Sequence, residues 1–244
     1  MKKAHFWQKG LIILSLFSAL AAAIFFIFIA KHHRIEPAFL KRKLGRGVKQ
    51  IIKHFSFSKD NSLKEWEEKI LKGKVIYLIE KENRLSYVRA KSEKAASALY
   101  YKVKIDIARH PIIKWKWRVD EFPTRTQPER IEDTKEEDFA ARVYVIFPAA
   151  FFTKSRVIEY IWAETLTKGT CGASGYSKNI KIMVLEKGAP TDWRHEERNI
   201  YEDYVKLFDE EPALEIGAIA FMTDADSTHS SADAVYDEIE IGYK

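Results

Sequence analysis

Asp224 and Asp226 stand two residues apart in Thr223-Asp224-Ala225-Asp226-Ser227-Thr228, directly after the strand-forming run Ile216–Met222. Two carboxylates at that spacing, followed by the Thr228 hydroxyl, offer hard oxygen ligands that suit Ca²⁺ better than zinc. The helix–loop–helix calcium pattern is not met, because His229 stands where its glycine belongs and no glutamate closes the loop. Asp224 and Asp226 can equally bond the backbone of a tight turn, or pair with Arg142 across a sheet. Asp138 and Asp203 add two more carboxylates that a fold could gather at one end, where a pair would act as acid and base in a hydrolase. Solvated loop acids and structural acceptors are the competing reading.

Arg142 lies inside Phe139–Phe147, a run that is apolar on both faces. A guanidinium buried there needs a partner. It is either a structural ion pair with one of those aspartates or a clamp for an anion or a sugar hydroxyl. The rings divide in the same way. Trp115 and Trp117 share one face at i and i+2, which fits a core, although a stacking platform for sugar rings has the same spacing. Tyr160, Trp162, Tyr176 and Trp193 are better placed for a surface platform, with Trp162 also reading as partly core.

Other chemistries fail on spacing. Cys171 sits in Gly169-Thr170-Cys171-Gly172-Ala173-Ser174-Gly175, with His195 and His229 as bases only if folding brings one within about 3 Å. Ser174 misses the nucleophile-elbow pattern because Tyr176 replaces its second glycine, and the same glycines lack the Lys-Ser/Thr ending of a phosphate loop. His195-Glu196-Glu197 has no second histidine for a zinc-protease helix.

The elements that must position these residues are mostly strands. Leu99, Tyr101, Val103 and Ile105 alternate with polar neighbours, as do Ile113, Trp115, Trp117 and Val119. Similar runs are Val75–Ile79, Leu85–Ala90, Phe139–Phe147, Val157–Ala163, Ile180–Leu185, Ile216–Met222 and Val235–Tyr243. Turns and polar loops separate these runs, so a two-sheet antiparallel β-sandwich of the jelly-roll or galactose-binding-like kind is expected. Two short helices accompany it. One starts at Ser62 with Glu65 in capping-box spacing and carries Leu63, Trp66, Ile70 and Leu71 to Gly73; the other is Asn199–Phe208 with Asn199 as N-cap. The polar segment Glu121–Glu137 is unusually long for a connection between two strong strands, a length associated with function or disorder.

Before the sandwich the character of the chain differs. Residues 1–58 carry a net charge of +10 and residues 59–244 a net −4, so the basicity belongs to an arm and a large nucleic-acid surface is not expected on the domain. Leu11–Ala30 is an uncharged apolar run of 20 residues, about 30 Å as a helix, flanked by lysines, histidines and an arginine. We read residues 1–30 as a retained membrane anchor, since the apolar run outlasts a cleavable signal core, and the domain as exported. Residues 31–58 read as a basic juxtamembrane segment in which Phe39, Leu40, Leu44, Val48, Ile51, Ile52 and Phe55 recur at near-helical spacing, the pattern of an interfacial helix. Residues 59–244 form the sandwich domain. The single cysteine makes no internal disulfide and does not settle the compartment.

Trp115-Lys116-Trp117-Arg118-Val119, Asp138–Val145, Tyr160-Ile161-Trp162, Arg198-Asn199 with Asp203-Tyr204, and Thr223–Thr228, in this order and spacing, resemble the bacterial DUF3047 family over most of residues 60–244. That resemblance implies an N-terminal export or anchor segment and supplies no catalytic residues. The expectation is a membrane-tethered envelope protein that binds a glycan or another polar ligand without catalysis. Its candidate ligand residues are Asp138, Arg142, Tyr160, Trp162, Tyr176, Asp203, Asp224 and Asp226; Asp224, Asp226 and Thr228 are the candidate Ca²⁺ ligands. A hydrolase built on Asp138, Arg142, Asp224 and Asp226, or a protein scaffold, is the alternative.

Overall fold

A computed structural model describes residues 50–58, 62–83, 85–135, 137–188 and 192–243. The anchor Leu11–Ala30 and most of the basic arm lie outside the described residues. Among those described, no helix is long and apolar enough to cross a membrane.

Thirteen strands follow one another: β1 (Gln50–Phe55), β2 (Glu67–Lys72), β3 (Ile76–Glu82), β4 (Leu85–Glu93), β5 (Ala96–Ile105), β6 (Pro111–Glu121), β7 (Ala141–Phe147), β8 (Arg156–Ala163), β9 (Cys171–Ser174), β10 (Ser177–Lys187), β11 (Arg194–Asn199), β12 (Ile216–Asp224) and β13 (Ser231–Tyr243). They form a six-stranded sheet, ordered β11-β6-β13-β4-β3 with β1 also paired to β13, and a seven-stranded sheet, ordered β2-β5-β12-β7-β8-β10-β9. The long strand β13 holds the first sheet together. Its N-terminal half pairs with β4 and its C-terminal half with β1, while β6 runs along its other side.

The core lies between the sheets and follows the alternation in the sequence. Odd-numbered residues of β7 (Ala141, Val143, Val145, Phe147) and even-numbered residues of β8 (Ile158, Tyr160, Trp162) face it, together with Trp115 and Trp117 of β6. The rings interlock. Trp115 packs on Tyr160 with centroids 5.3 Å apart and Trp117 meets Trp162 edge-on at 5.7 Å, distances at which aromatic pairs add to their burial. The single α-helix among the described residues, α1 (Ile200–Phe208), closes one end of the sandwich. The Asn199 carboxamide accepts from the Tyr201 and Glu202 backbone N–H groups, as its sequence foretells, and Tyr204 packs against Phe147.

Three expectations are corrected. The sheets are not wholly antiparallel, because β8 and β10 run parallel, joined by the connection that contains β9. The capping-box helix after Ser62 is a single 3₁₀ turn, Ser62–Glu65; Glu67–Lys72 then pairs with β5, and this sheet edge overrides a local signal worth only a fraction of a kcal/mol per residue. Ile51, Ile52 and Phe55 belong to a strand and not to an interfacial helix. Residues 50–55 pair with β13, and Phe55 and Phe57 are buried, so these residues pack as part of the sandwich.

Candidate functional site

On the seven-stranded sheet, the residues that turn away from the core make a second face. Arg142, Tyr144 and Ile146 lie on it from β7, Val157, Glu159 and Ile161 from β8, and Ala218, Ala220, Met222 and Asp224 from β12. The segment between β6 and β7 covers half of this face, packing Ile131 and Phe139 on Ile161, Ala163, Ile182 and Val184. The other half carries a small cluster of its own, with Tyr100, Ile146, Val157, Ile180, Ala218 and Ala220 packed around Tyr144.

Arg142 is the hub of the covered half and is only 4% exposed. Its Nε donates to Asp224 Oδ1 at 2.9 Å, its second nitrogen reaches Asp224 Oδ2 at 2.8 Å, and its third donates to Glu159 Oε1 at 2.7 Å. It also donates to the Glu137 carbonyl oxygen and lies 4.8 Å from the Phe139 ring centre. The structural reading of Arg142, an ion pair with Asp224, is therefore what the fold realises. Glu159 is a partner that sequence reasoning missed.

The covering segment is fastened by three of its own carboxylates. Glu129 accepts from the backbone N–H groups of Glu164, Thr165 and Leu166 and from the Thr165 hydroxyl. Glu137 accepts from the Ser174 hydroxyl at 2.7 Å and the Gly175 N–H at 3.1 Å. Asp138 accepts from Ser227 N–H, Thr228 N–H and the Thr228 hydroxyl. Gly175 is required at its position, because a Cβ there would collide with the Glu132 carbonyl. Burial, reinforced by the neighbouring Glu159 and opposed by Arg142, pushes the Glu137 carboxyl up to about 8, so it is protonated at neutral pH.

Asp138, Asp224 and Asp226 do converge, with one oxygen of each lying within 4.8 Å of the others. Three carboxylates at that separation would suit Ca²⁺. Most of their lone pairs already have donors: both Asp224 oxygens take Arg142, both Asp138 oxygens take the 227–228 turn, and Asp226 pairs with Lys72 at 3.3 Å. Thr228 turns its hydroxyl to Asp138. The chain thus satisfies this cluster by itself, and the same saturation leaves an acid–base pair no free carboxylate among Asp138 and Asp224.

The remaining candidates are placed elsewhere. Asp203 accepts from the Tyr160 hydroxyl at 2.7 Å and from Arg198 at the start of α1. Tyr160 and Trp162 are fully buried and provide no surface platform, since their parity on β8 turns both rings into the core, where Trp162 donates to the Gly188 carbonyl. Tyr176 is half-buried against the covering segment, with its hydroxyl on the Thr134 carbonyl oxygen. Trp193 lies on the other sheet, 5.4 Å from Lys116 and 5.5 Å from Arg118. Burial raises the Cys171 thiol, the opposite of what an activated nucleophile needs.

The uncovered half holds what the sequence did not single out. One row of registered residues crosses five adjacent strands: Glu67, Tyr100, Ala220, Tyr144 and Glu159. The two tyrosines stand on either side of the strand that carries Ala218 and Ala220, and all four pack into one cluster in which Tyr100 is 7% exposed and the alanines are buried. Polar groups stand at both ends. The Tyr100 hydroxyl donates to Glu67 at 2.6 Å, Lys102 pairs with Glu67 at 2.9 Å, and the Tyr144 hydroxyl lies 3.5 Å from Arg142.

The chain is similar, at low identity, to several solved structures. The family 11 carbohydrate-binding module of a Clostridium thermocellum cellulosomal cellulase is 10% identical with a TM-score of 0.41, covering 80% of this chain and 94% of that one. The xyloglucanase domain of a type three effector from Sinorhizobium fredii is also 10% identical with a TM-score of 0.43, covering 73% and 93%. A mannan-recognising carbohydrate-binding module is 8% identical with a TM-score of 0.37, covering 81% and 99%. No curated protein matches. The model of DUF3047, a family described as protein of unknown function, matches residues 64–240, and the chain belongs to that family.

Proposed function

We propose that this chain is a non-catalytic binding protein whose ligand is a glycan, held beside Tyr100 and Tyr144 on the outward face of the seven-stranded sheet. The observation that supports it is the row Glu67–Tyr100–Ala220–Tyr144–Glu159. Two amphipathic rings share this face with small residues, and the exposed Glu67 carboxylate at one end of the row can receive hydroxyl donors. Such a combination of apolar walls and a few placed polar groups is what ligand sites are made of. In this reading Leu11–Ala30 tethers the sandwich to a membrane and the sandwich lies outside the cytoplasm, where such ligands occur.

The full chain titrated against soluble envelope glycan fragments tests it. Binding is expected, together with its loss in Tyr144→Ala and Tyr100→Ala at retained cooperative melting. Failure of the wild-type chain to bind any glycan, or undiminished binding by both variants, overturns the reading. A reporter active only after export, fused at Lys244, is expected to be active; its silence beside an active cytoplasmic reporter overturns the placement.

A further inference from the structure

Among the described residues five strands have an unpaired side, β1, β2, β3, β9 and β11, and four of them are poor templates for further pairing: β1, which lies along only the C-terminal half of β13, carries Lys53 and His54 in six positions. β11 is Arg-His-Glu-Glu-Arg-Asn, β9 has four residues, and β2 mixes two glutamates and two lysines into six positions. Charges and short length are how sheet edges are ordinarily protected. β3 is different. It presents seven residues without proline, and among the described residues no strand pairs with its other side. Ile76 and Leu78 are 56% and 51% exposed on its outward face, and Leu85 of the adjacent β4 is 46% exposed.

We infer that β3 pairs with the β3 of a second copy of this chain, antiparallel about a two-fold axis through Leu78. The sequence on either side complements itself in that register. Residues on one face must stay on that face, so only pairings with an even sum of residue numbers continue both sheets. With Leu78 opposite its copy, Tyr77 faces Ile79 on the core side, so half-buried apolar groups meet half-buried apolar groups. On the outward side Ile76 stands opposite the partner's Glu80 and reaches the partner's Leu78 diagonally, and Lys74 at one end stands opposite Glu82 at the other, twice by symmetry. The exposed backbone groups gain partners, and the two exposed apolar side chains of the strand leave water together.

Oxidative cross-linking of the full chain in its own membranes tests this, in a Cys171→Ser background. Leu78→Cys is expected to give a disulfide-linked species of twice the chain mass, because residues opposite each other at the axis bring their Cβ atoms to about 5 Å. Leu85→Cys, similarly exposed but one strand away from the axis, is expected to give none. Lys74→Glu in the Leu78→Cys chain should remove the linked species, and adding Glu82→Lys should restore it. Equal linking at both cysteines, linking to a different protein, or a chain that stays single at Leu78→Cys with intact melting overturns the inference.

Discussion

The two outward faces of the sandwich carry the same kind of ion pairs in opposite surroundings. On the six-stranded sheet Arg89 holds Glu80, Asp120 and Asp233 at 2.8–2.9 Å, with its side chain 15% exposed. On the seven-stranded sheet Arg142 holds Asp224 and Glu159 at much the same distances, with its side chain 4% exposed and a loop over it. Water screens the first group and competes for every bond in it, so each pair contributes little net stability. Around Arg142 the charges have already lost their hydration, and removing one of them strands the others. Similar distances therefore say little about energy until it is known what covers them.

The sharpest way to break this comparison is to delete each arginine. Arg142→Ala is expected to cost about 3–5 kcal/mol of unfolding free energy, and Arg89→Ala about 1 kcal/mol, both read by urea denaturation. The triple change Arg142→Met, Asp224→Leu and Glu159→Gln is expected to cost less than Arg142→Ala alone, because neither carboxylate partner of the arginine is then left as an unpaired charge. Equal losses at Arg142 and Arg89 would end the distinction between the faces. Trp117→Ala, which empties the core between them, is expected to cost about 3–5 kcal/mol by cavity formation; unchanged melting would place that ring on a binding surface instead.

A smaller effect separates the faces by pH. Glu137 has its carboxyl raised from the ordinary 4.5 to about 8, so the folded chain holds a proton that the unfolded chain releases between those values. The stability tied to the neutral carboxyl is complete below about pH 4.5 and is lost as pH rises toward 8, with a slope of at most ~1.4 kcal/mol per pH unit. Denaturation midpoints across this range should fall in the wild type and flatten in Glu137→Gln. A wild-type midpoint that rises with pH would contradict the burial of this group. The smallest expected effect is that of calcium. Since Arg142 and the 227–228 turn already occupy Asp224 and Asp138, millimolar Ca²⁺ should leave the melting temperature unchanged, and a clear rise would reveal a site in the aspartate cluster.

How much of this was legible depended on whether a residue's role was set locally. The alternation Trp115-Lys116-Trp117 fixes which side each ring takes, and the structure buries both tryptophans. Arg142 stood out because a cation inside an apolar strand must find an acid. The same logic applied to Glu159 in Val-Ile-Glu-Tyr-Ile-Trp would have paired the two strands, and that signal went unused. Tyr160, read as a surface ring, and Trp162, read both as surface ring and as partly core, are both turned inward by the parity of β8. Strand β1 and strand β2 were illegible for another reason: each is a sheet edge whose pairing partner, β13 or β5, lies far along the chain, while its own residues spell a helix. The row on the outward face could not be foreseen, because Tyr100, Ala220 and Tyr144 meet only through the register of three strands.

The position of β13 bears on how the chain comes to be folded. It is the last of the described strands in chain order, yet it forms the spine to which β1, β4 and β6 attach. A chain that lacks residues 231–243 has these three strands without their common neighbour, so the six-stranded sheet closes only once this strand is in place. Any truncation that removes this strand unravels one whole sheet and not merely its edge.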